Sequence, residues 1–168
     1  MKANIPLLLL QINDSLFPIG GYTQSYGLET YIQQGIVSDS ATARAYLQQN
    51  LSCNLKYTEL LAASLTFSYA QKRDIKSVLR LEQTVTASKV PKEIRLASHK
   101  LGSRFVKTVH SMGVVSEDTV FAEYCKQHAS VPINHCIAYG VFCASCGIDK
   151  KMALTSFLYA ALSAAVTV

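Results

Sequence analysis

Charged residues are scarce in this sequence. Of 168 residues, 16 are Lys or Arg and 11 are Asp or Glu, so 16% are charged, whereas a soluble domain carries about 25%. The length fits one domain with a full core, and 49% hydrophobic residues exclude a disordered chain. The sparse charge predicts that another protein covers part of the surface.

Long basic runs and long apolar runs are also absent. No more than two basic residues are consecutive, and the cations are scattered from Lys2 to Lys151, so a net charge of +5 does not indicate a nucleic-acid stripe. The uncharged end, Met152–Val168, contains four Ser or Thr residues, which favours a packed helix over a membrane span. We therefore expect neither nucleic acid nor a membrane as a partner.

The cysteines do not form a disulfide framework. Their number is odd and their spacing irregular, and the Leu7–Leu10 run is too brief for the core of a signal peptide. Free thiols in a reducing compartment follow, and the predicted location is the cytoplasm.

Nucleotide-binding and nucleophile motifs are missing as well. The sequence has no GxxxxGK[ST], and the Pro18–Gly21 turn lacks both the lysine and a preceding strand. No Ser/His/acid or Cys/His spacing implies a nucleophile. The residues alone therefore indicate an interaction protein rather than an enzyme.

The alternative is a metal- or redox-active helical protein. Cys143 and Cys146 form a CxxC pair, but Gly147 places it at the C-terminal end of a helix, where the dipole disfavours a thiolate. No second CxxC or HxxxH completes a zinc site, so core thiols are the favoured interpretation. His128 and His135 flank a loop and are weak candidates for a metal transit site, with hydrogen bonding at helix ends as the other interpretation.

Apolar and polar residues rarely alternate with the period of two that is typical of a strand. The sequence therefore predicts an all-α, single-domain bundle of about eight helices. The segment 134–147 is apolar almost all round and should be the central helix, with Gly140 allowing close approach of a neighbour. The longest helix should span 92–112, with Glu93, Lys100, Arg104 and Lys107 on its flank. Its apolar face should hold Ile94, Ala97, Leu101, Phe105, Thr108, Val109 and Met112. The predicted helices are about 7–12, 25–34, 38–53, 54–69, 74–87, 92–112, 116–127, 134–147 and 149 onward.

Glu82 interrupts the apolar face of the helix that begins at Asp74. A buried carboxylate needs a cationic or hydrogen-bonding partner. Either Glu82 caps a backbone group or lies where the face reaches solvent, or it pairs with an arginine such as Arg95.

Four motifs then resemble one family. The segment from Leu8 to Glu29, LLLQINDSLFPIGGYTQSYGLE, closely resembles the opening signature of the UreF urease accessory proteins. Further matches follow in family order at 93–104, 135–140 and 157–166. The resemblance covers most of the chain, and its first motif is the most specific.

The resemblance implies an all-α, non-catalytic, cytoplasmic protein that acts in maturation of the nickel centre of urease. Such a protein forms a homodimer, binds the accessory protein UreH (UreD in some lineages) and recruits the GTPase UreG, so that nickel reaches apo-urease. It binds no cofactor tightly, because the complex handles the nickel. Family members continue beyond the region that matches 164–166, with more helix and a tail that engages UreH, whereas this chain of 1–168 stops at Val168.

The resemblance also suggests partner-binding residues. The Pro18–Gly21 turn should hold Tyr22 and Tyr26, which either anchor a partner or pack beneath the bundle. Glu29 is expected to pair with an arginine on the long helix or on the partner. Arg95 and Arg104 suit inter-protein carboxylates, and a solvated face is the alternative for both. Tyr159, on the last helix, is the candidate for the dimer or partner contact. The predicted partner-binding residues are therefore Pro18, Gly20, Gly21, Tyr22, Tyr26, Glu29, Arg95, Arg104 and Tyr159.

Overall fold

The computed structural model describes residues 4–21, 27–128 and 131–167, and every regular element in these ranges is helical. The chain forms one bundle, as predicted. Its helices are α1 (Ile5–Ile12), α2 (Leu28–Gln33), α3 (Ser40–Gln49), α4 (Glu59–Gln71), α5 (Ile75–Ser88), α6 (Lys92–Ser111), α7 (Val120–Gln127), α8 (His135–Ser145) and α9 (Lys150–Thr167).

Helix α8 lies at the centre of the bundle, which confirms the prediction from its apolar sequence. Residues 136–143 are all buried, and α8 contacts α4, α5, α6, α7 and α9. The approach to α4 is close, because a Cβ at Gly140 would lie 2.7 Å from the carbonyl oxygen of Ala63. Only glycine permits this spacing, so the expected role of Gly140 is confirmed.

Helix α6 buries the face that its periodicity predicts. Ala97, Leu101, Phe105 and Val109 enter the core, whereas Ile94 remains 37% exposed in the first turn. Sequence periodicity missed Gly102, which is also buried. Gly102 contacts the backbone of Ile133 and Asn134, where the chain enters α8. A pattern of apolar side chains cannot predict a contact between backbones.

Several helix ends differ from the prediction. Asp39, rather than Ser38, caps α3, because its carboxylate accepts from the Thr42 amide at 2.8 Å and Thr42 returns the contact in a capping box. Likewise, Thr119 rather than Ser116 caps α7. The chain also stays helical through Cys53, because a π-helical turn (Asn50–Leu55) continues α3.

The last helix is packed on one side only. Ala153 and Phe157 of α9 enter the core, but residues 160–165 are half-buried. The prediction of a packed helix therefore holds for its first half. Within the described ranges, no helix is both long and apolar enough to cross a membrane.

Candidate functional site

The turn that follows α1 is fastened to α6. The Phe17 ring is buried and meets the Phe105 ring edge-on, with 6.2 Å between centroids. Two residues further on, the carbonyl oxygen of Ile19 accepts a hydrogen bond from Nη1 of Arg104 at 3.3 Å. The structure therefore brings Arg104 together with the Pro18–Gly21 turn.

Gly20 is the residue of this turn that the geometry constrains most. Its φ of 78° lies in the left-handed region, where a side chain costs about 1–2 kcal/mol. A Cβ there would also lie 2.7 Å from Nη1 of Arg104 and would displace the guanidinium from Ile19. The turn thus depends on glycine, while Tyr22 and Tyr26, which it was predicted to present, lie outside the described residues.

Among the described residues, Glu29 forms no ion pair with an arginine of the long helix, and its pairing with an arginine of a partner stays a prediction. Glu29 is exposed in the first turn of α2, where a negative charge is favourable, and in the described part of the chain no ion pair joins it to Arg95 or Arg104. Arg95 instead donates to the carbonyl oxygens of Lys89 at 2.7 Å and Val90 at 3.2 Å. It holds the link between α5 and α6, because the guanidinium satisfies carbonyls at the C-terminal end of α5.

Tyr159 has the surface position that a contact residue needs. It lies on α9 with 68% of its surface exposed, and Met152, two turns earlier on the same helix, is 45% exposed. The structure therefore leaves this aromatic side chain available, and its contact role stays a prediction.

Glu82 lies at the junction of three helices and is only 2% exposed. Its Oε1 accepts from the backbone nitrogen of Asn134 at 2.7 Å and from Asn134 Nδ2 at 2.6 Å, and its Oε2 accepts from the Tyr124 hydroxyl. Asn134 is the N-cap residue of α8. Glu82 therefore caps a backbone group, and its pairing with Arg95 is wrong because Arg95 is engaged at the α5–α6 link.

The surroundings of Glu82 act on its charge in opposite directions. Burial raises the pKa of Glu82, while the hydrogen bonds from Tyr124 and Asn134 lower it in part. The same contacts keep the Tyr124 hydroxyl protonated, because burial and the neighbouring carboxylate raise the pKa of Tyr124 well above its usual value. The network is thus a structural hydrogen-bond centre that joins α5, α7 and α8.

The two histidines proposed as metal candidates have separate surroundings. His128 ends α7, with Nδ1 2.9 Å from the Tyr124 carbonyl oxygen and Nε2 3.8 Å from Glu82 Oε2. His135 instead stacks on Phe157, with 5.7 Å between centroids. Helix-end hydrogen bonding is therefore confirmed for His128. Within residues 4–21, 27–128 and 131–167, no group of three or more His, Cys, Asp or Glu side chains is placed to hold a metal ion.

The CxxC pair lies at the C-terminal end of α8, as predicted, and both cysteines are free. Burial raises the pKa of the Cys143 thiol, and it raises the pKa of Cys146 to about 11. Both thiols are therefore protonated at neutral pH, and thiols rather than thiolates are poor nucleophiles and metal ligands. This environment argues against a redox function for the pair.

Sequence reasoning missed a second buried polar contact. Lys89 is 8% exposed and forms an ion pair with Glu59 at the start of α4, which holds the pKa of Glu59 below its usual value despite burial. Thirty positions separate the two residues in the chain. No local pattern joins them, and only the packing of α4 against the end of α5 reveals the pair.

His135 predicts a stability loss in mild acid. Burial lowers the pKa of His135 to about 4, and its Nε2 has no hydrogen-bond partner in the part of the chain that the structure describes. Because the unfolded chain binds this proton near pH 6.5, stability should fall as the pH drops from 6.5 to 4, by up to about 3 kcal/mol. Urea unfolding at a series of pH values measures the loss. His135→Gln should flatten this part of the profile, and an unchanged slope in that variant would contradict the assignment.

Comparison with known proteins identifies the family of this chain. The family model for UreF matches residues 37–168. The chain belongs to the UreF family. Urease accessory protein UreF from Actinobacillus pleuropneumoniae serotype 5b (strain L20) is 31% identical over 164 residues, covering 95% of this chain and 70% of that protein. The UreF of serotype 3 (strain JL03) is 32% identical with the same coverage.

UreF membership confirms the family resemblance and gives the functional class. The relatives are urease accessory proteins, and UreF is a non-catalytic family. Since 95% of the chain is aligned, the similarity extends into the segment before residue 37, where the turn lies. The Arg104-anchored turn is the best-defined feature among the predicted contact residues of this chain.

Proposed function

We propose that this UreF protein is a cytoplasmic homodimeric adaptor in urease maturation. It binds UreH (UreD) and recruits the GTPase UreG, so that nickel is inserted into apo-urease. Nickel is the cargo of the complex in this proposal, and the chain itself binds no cofactor tightly. Membership of the UreF family is the observation that carries the proposal.

Exposed apolar side chains support a role in assembly. Leu7, Leu10 and Leu16, on α1 and the turn, are 63%, 71% and 87% exposed. Helix α1 contacts α9, which presents Met152 and Tyr159. Large exposed apolar side chains on adjoining helices are typical of surfaces that another protein covers.

Reconstitution with the partners of the same organism tests the proposal. The chain is mixed with UreH, UreG and apo-urease, and the species are resolved by size exclusion with light scattering. We expect a dimer of the chain alone and a larger complex with UreH that retains UreG. A monomer that joins none of the three proteins would contradict the adaptor function.

Tyr159→Ala tests the contact residue within the same assay. Loss of an exposed aromatic anchor at an interface should weaken one of these associations tenfold or more, on the order of the 1–2 kcal/mol seen for such residues. Tyr57→Ala is the matched control, because Tyr57 is 61% exposed on a different part of the chain.

A further inference from the structure

The hydroxyl group of Tyr139 joins three helices. Tyr139 is buried on α8, and its hydroxyl donates to the carbonyl oxygen of Ala153, near the start of α9, at 3.0 Å. The same hydroxyl oxygen accepts from Nδ2 of Asn13 at 3.1 Å, and Asn13 is the C-cap residue of α1. Burial raises the pKa of Tyr139, so the hydroxyl keeps its proton and can donate. A single oxygen atom of α8 therefore links the end of α1 to the start of α9.

The partners of this hydroxyl do not need it to satisfy their own hydrogen bonding. Nδ2 of Asn13 also donates to the carbonyl oxygen of Leu9 at 2.9 Å, and a helical carbonyl such as that of Ala153 accepts from the amide four residues later. The ring of Tyr139 packs on Phe157, with 5.0 Å between centroids, whether or not the hydroxyl is present. The distinct contribution of the hydroxyl is therefore the placement of α1 relative to α9.

The two helices that it links have exposed apolar side chains, which together we name the α1–α9 surface: Leu7, Leu10, Met152 and Tyr159. Neither α1 nor the part of α9 after Lys151 contains Asp, Glu, Lys or Arg, whereas each helix from α2 to α7 contains at least one of these residues. In a two-fold contact a surface meets its own copy, so a surface of one charge repels itself and an uncharged apolar surface does not. The composition of the α1–α9 surface therefore favours a second copy of this chain as its occupant.

We propose that Tyr139 is a positioning residue for dimer formation: its hydroxyl holds α1 against α9, so that the α1–α9 surface of one copy fits the same surface of a second copy. The inference rests on the proposed function, which includes a homodimer. A surface made of two helices packs well against its copy only when the helices keep a fixed relation. Holding them in that relation before association removes an ordering cost from association.

The test compares Tyr139→Phe with Tyr124→Phe in the full chain. Each variant removes one buried hydroxyl, and the hydroxyl of Tyr124 donates to Glu82, at the junction of α5, α7 and α8. Tyr139→Phe should lower the thermal midpoint by about 2–4 °C, and Tyr124→Phe by no less. Sedimentation equilibrium then measures the dimer Kd. We expect Tyr139→Phe to raise it at least about tenfold, and the matched control Tyr124→Phe to leave it within about twofold of the wild type.

Two further variants test the parts of the link. Leu10→Ser should raise the dimer Kd, as Tyr159→Ala does, if α1 belongs to the contact. Asn13→Ala removes the α1 partner of the Tyr139 hydroxyl. Combined with Tyr139→Phe, it should weaken the dimer no more than the more damaging single substitution does, because both substitutions break the same link.

Equal weakening of the dimer by Tyr139→Phe and Tyr124→Phe would show that the hydroxyl acts only through overall stability, and the inference would be wrong. A Tyr139→Phe dimer as tight as that of the wild type, a Leu10→Ser dimer of unchanged Kd, or additive effects of Asn13→Ala and Tyr139→Phe would also overturn it, while the proposed function would stand. A wild-type chain that stays monomeric would contradict both the proposed homodimer and this inference.

Discussion

Replacing Glu82 with alanine should lower the free energy of unfolding by about 3–5 kcal/mol, the range for breaking a buried charged network. The variant leaves the Asn134 backbone amide and the Tyr124 hydroxyl without their acceptor in a buried site, while Asn134 Nδ2 keeps the Thr86 hydroxyl oxygen as an acceptor. Each buried donor without a partner costs about 1–3 kcal/mol. The N-terminal end of α8, the central helix, loses its capping carboxylate at the same time.

Urea unfolding followed by circular dichroism measures this loss. Glu123→Ala is the control, because Glu123 is exposed on α7 and its removal should change stability by less than about 0.5 kcal/mol. The free energy of unfolding of Glu82→Gln should lie between those of Glu82→Ala and Glu123→Ala, because the amide oxygen of the glutamine can still accept from Asn134. A Glu82→Ala protein within about 1 kcal/mol of the wild type would show that the network is not needed for stability.

Gly102→Ala is the second substitution with a large expected effect. A Cβ at this position would overlap the carbonyl oxygen of Ile133 and would lie 2.9 Å from the carbonyl carbon of Asn134. Both are backbone atoms, so no side-chain rotation relieves the overlap, and either α6 or the chain that enters α8 has to move. We expect a loss of about 3 kcal/mol or more, at the upper end for overpacked cores, although alanine favours the helix by about 1 kcal/mol.

Thermal and urea unfolding of Gly102→Ala beside Ser103→Ala checks this expectation. Ser103 is the exposed neighbour on the same helix, and its substitution should be neutral or slightly stabilising. The comparison separates helix propensity from crowding, since both variants gain an alanine. Equal stability of the two variants would mean that α6 and α8 are not held at this distance.

The helical elements and the family can be predicted from the sequence alone. Periodicity marked the long amphipathic α6, and an all-round apolar composition marked α8 as central, because both signals come from residues within one helix. The Gly20 turn could be predicted as rigid for the same local reason. Its attachment to Arg104 could not, since 85 positions separate the Arg104 donor from the Ile19 acceptor.

Helix caps show the limit of local reasoning at short range. Ser38 and Asp39 are both good caps and are adjacent, and so are several candidates between Ser116 and Thr119. Which residue caps depends on where the chain turns into the helix, and that is decided by packing of the helix on its neighbours.

The amino-acid sequence by itself determined the helical class, the absence of a recognisable nucleotide motif and the relationship to UreF, because these depend on residue order alone. Tertiary structure decided which groups meet: Glu82 with Asn134 and Tyr124, and Lys89 with Glu59. The physical reason is that the burial of a side chain and its interactions with charged groups depend on distances in space. Those distances are set when helices that are far apart in the sequence pack against each other.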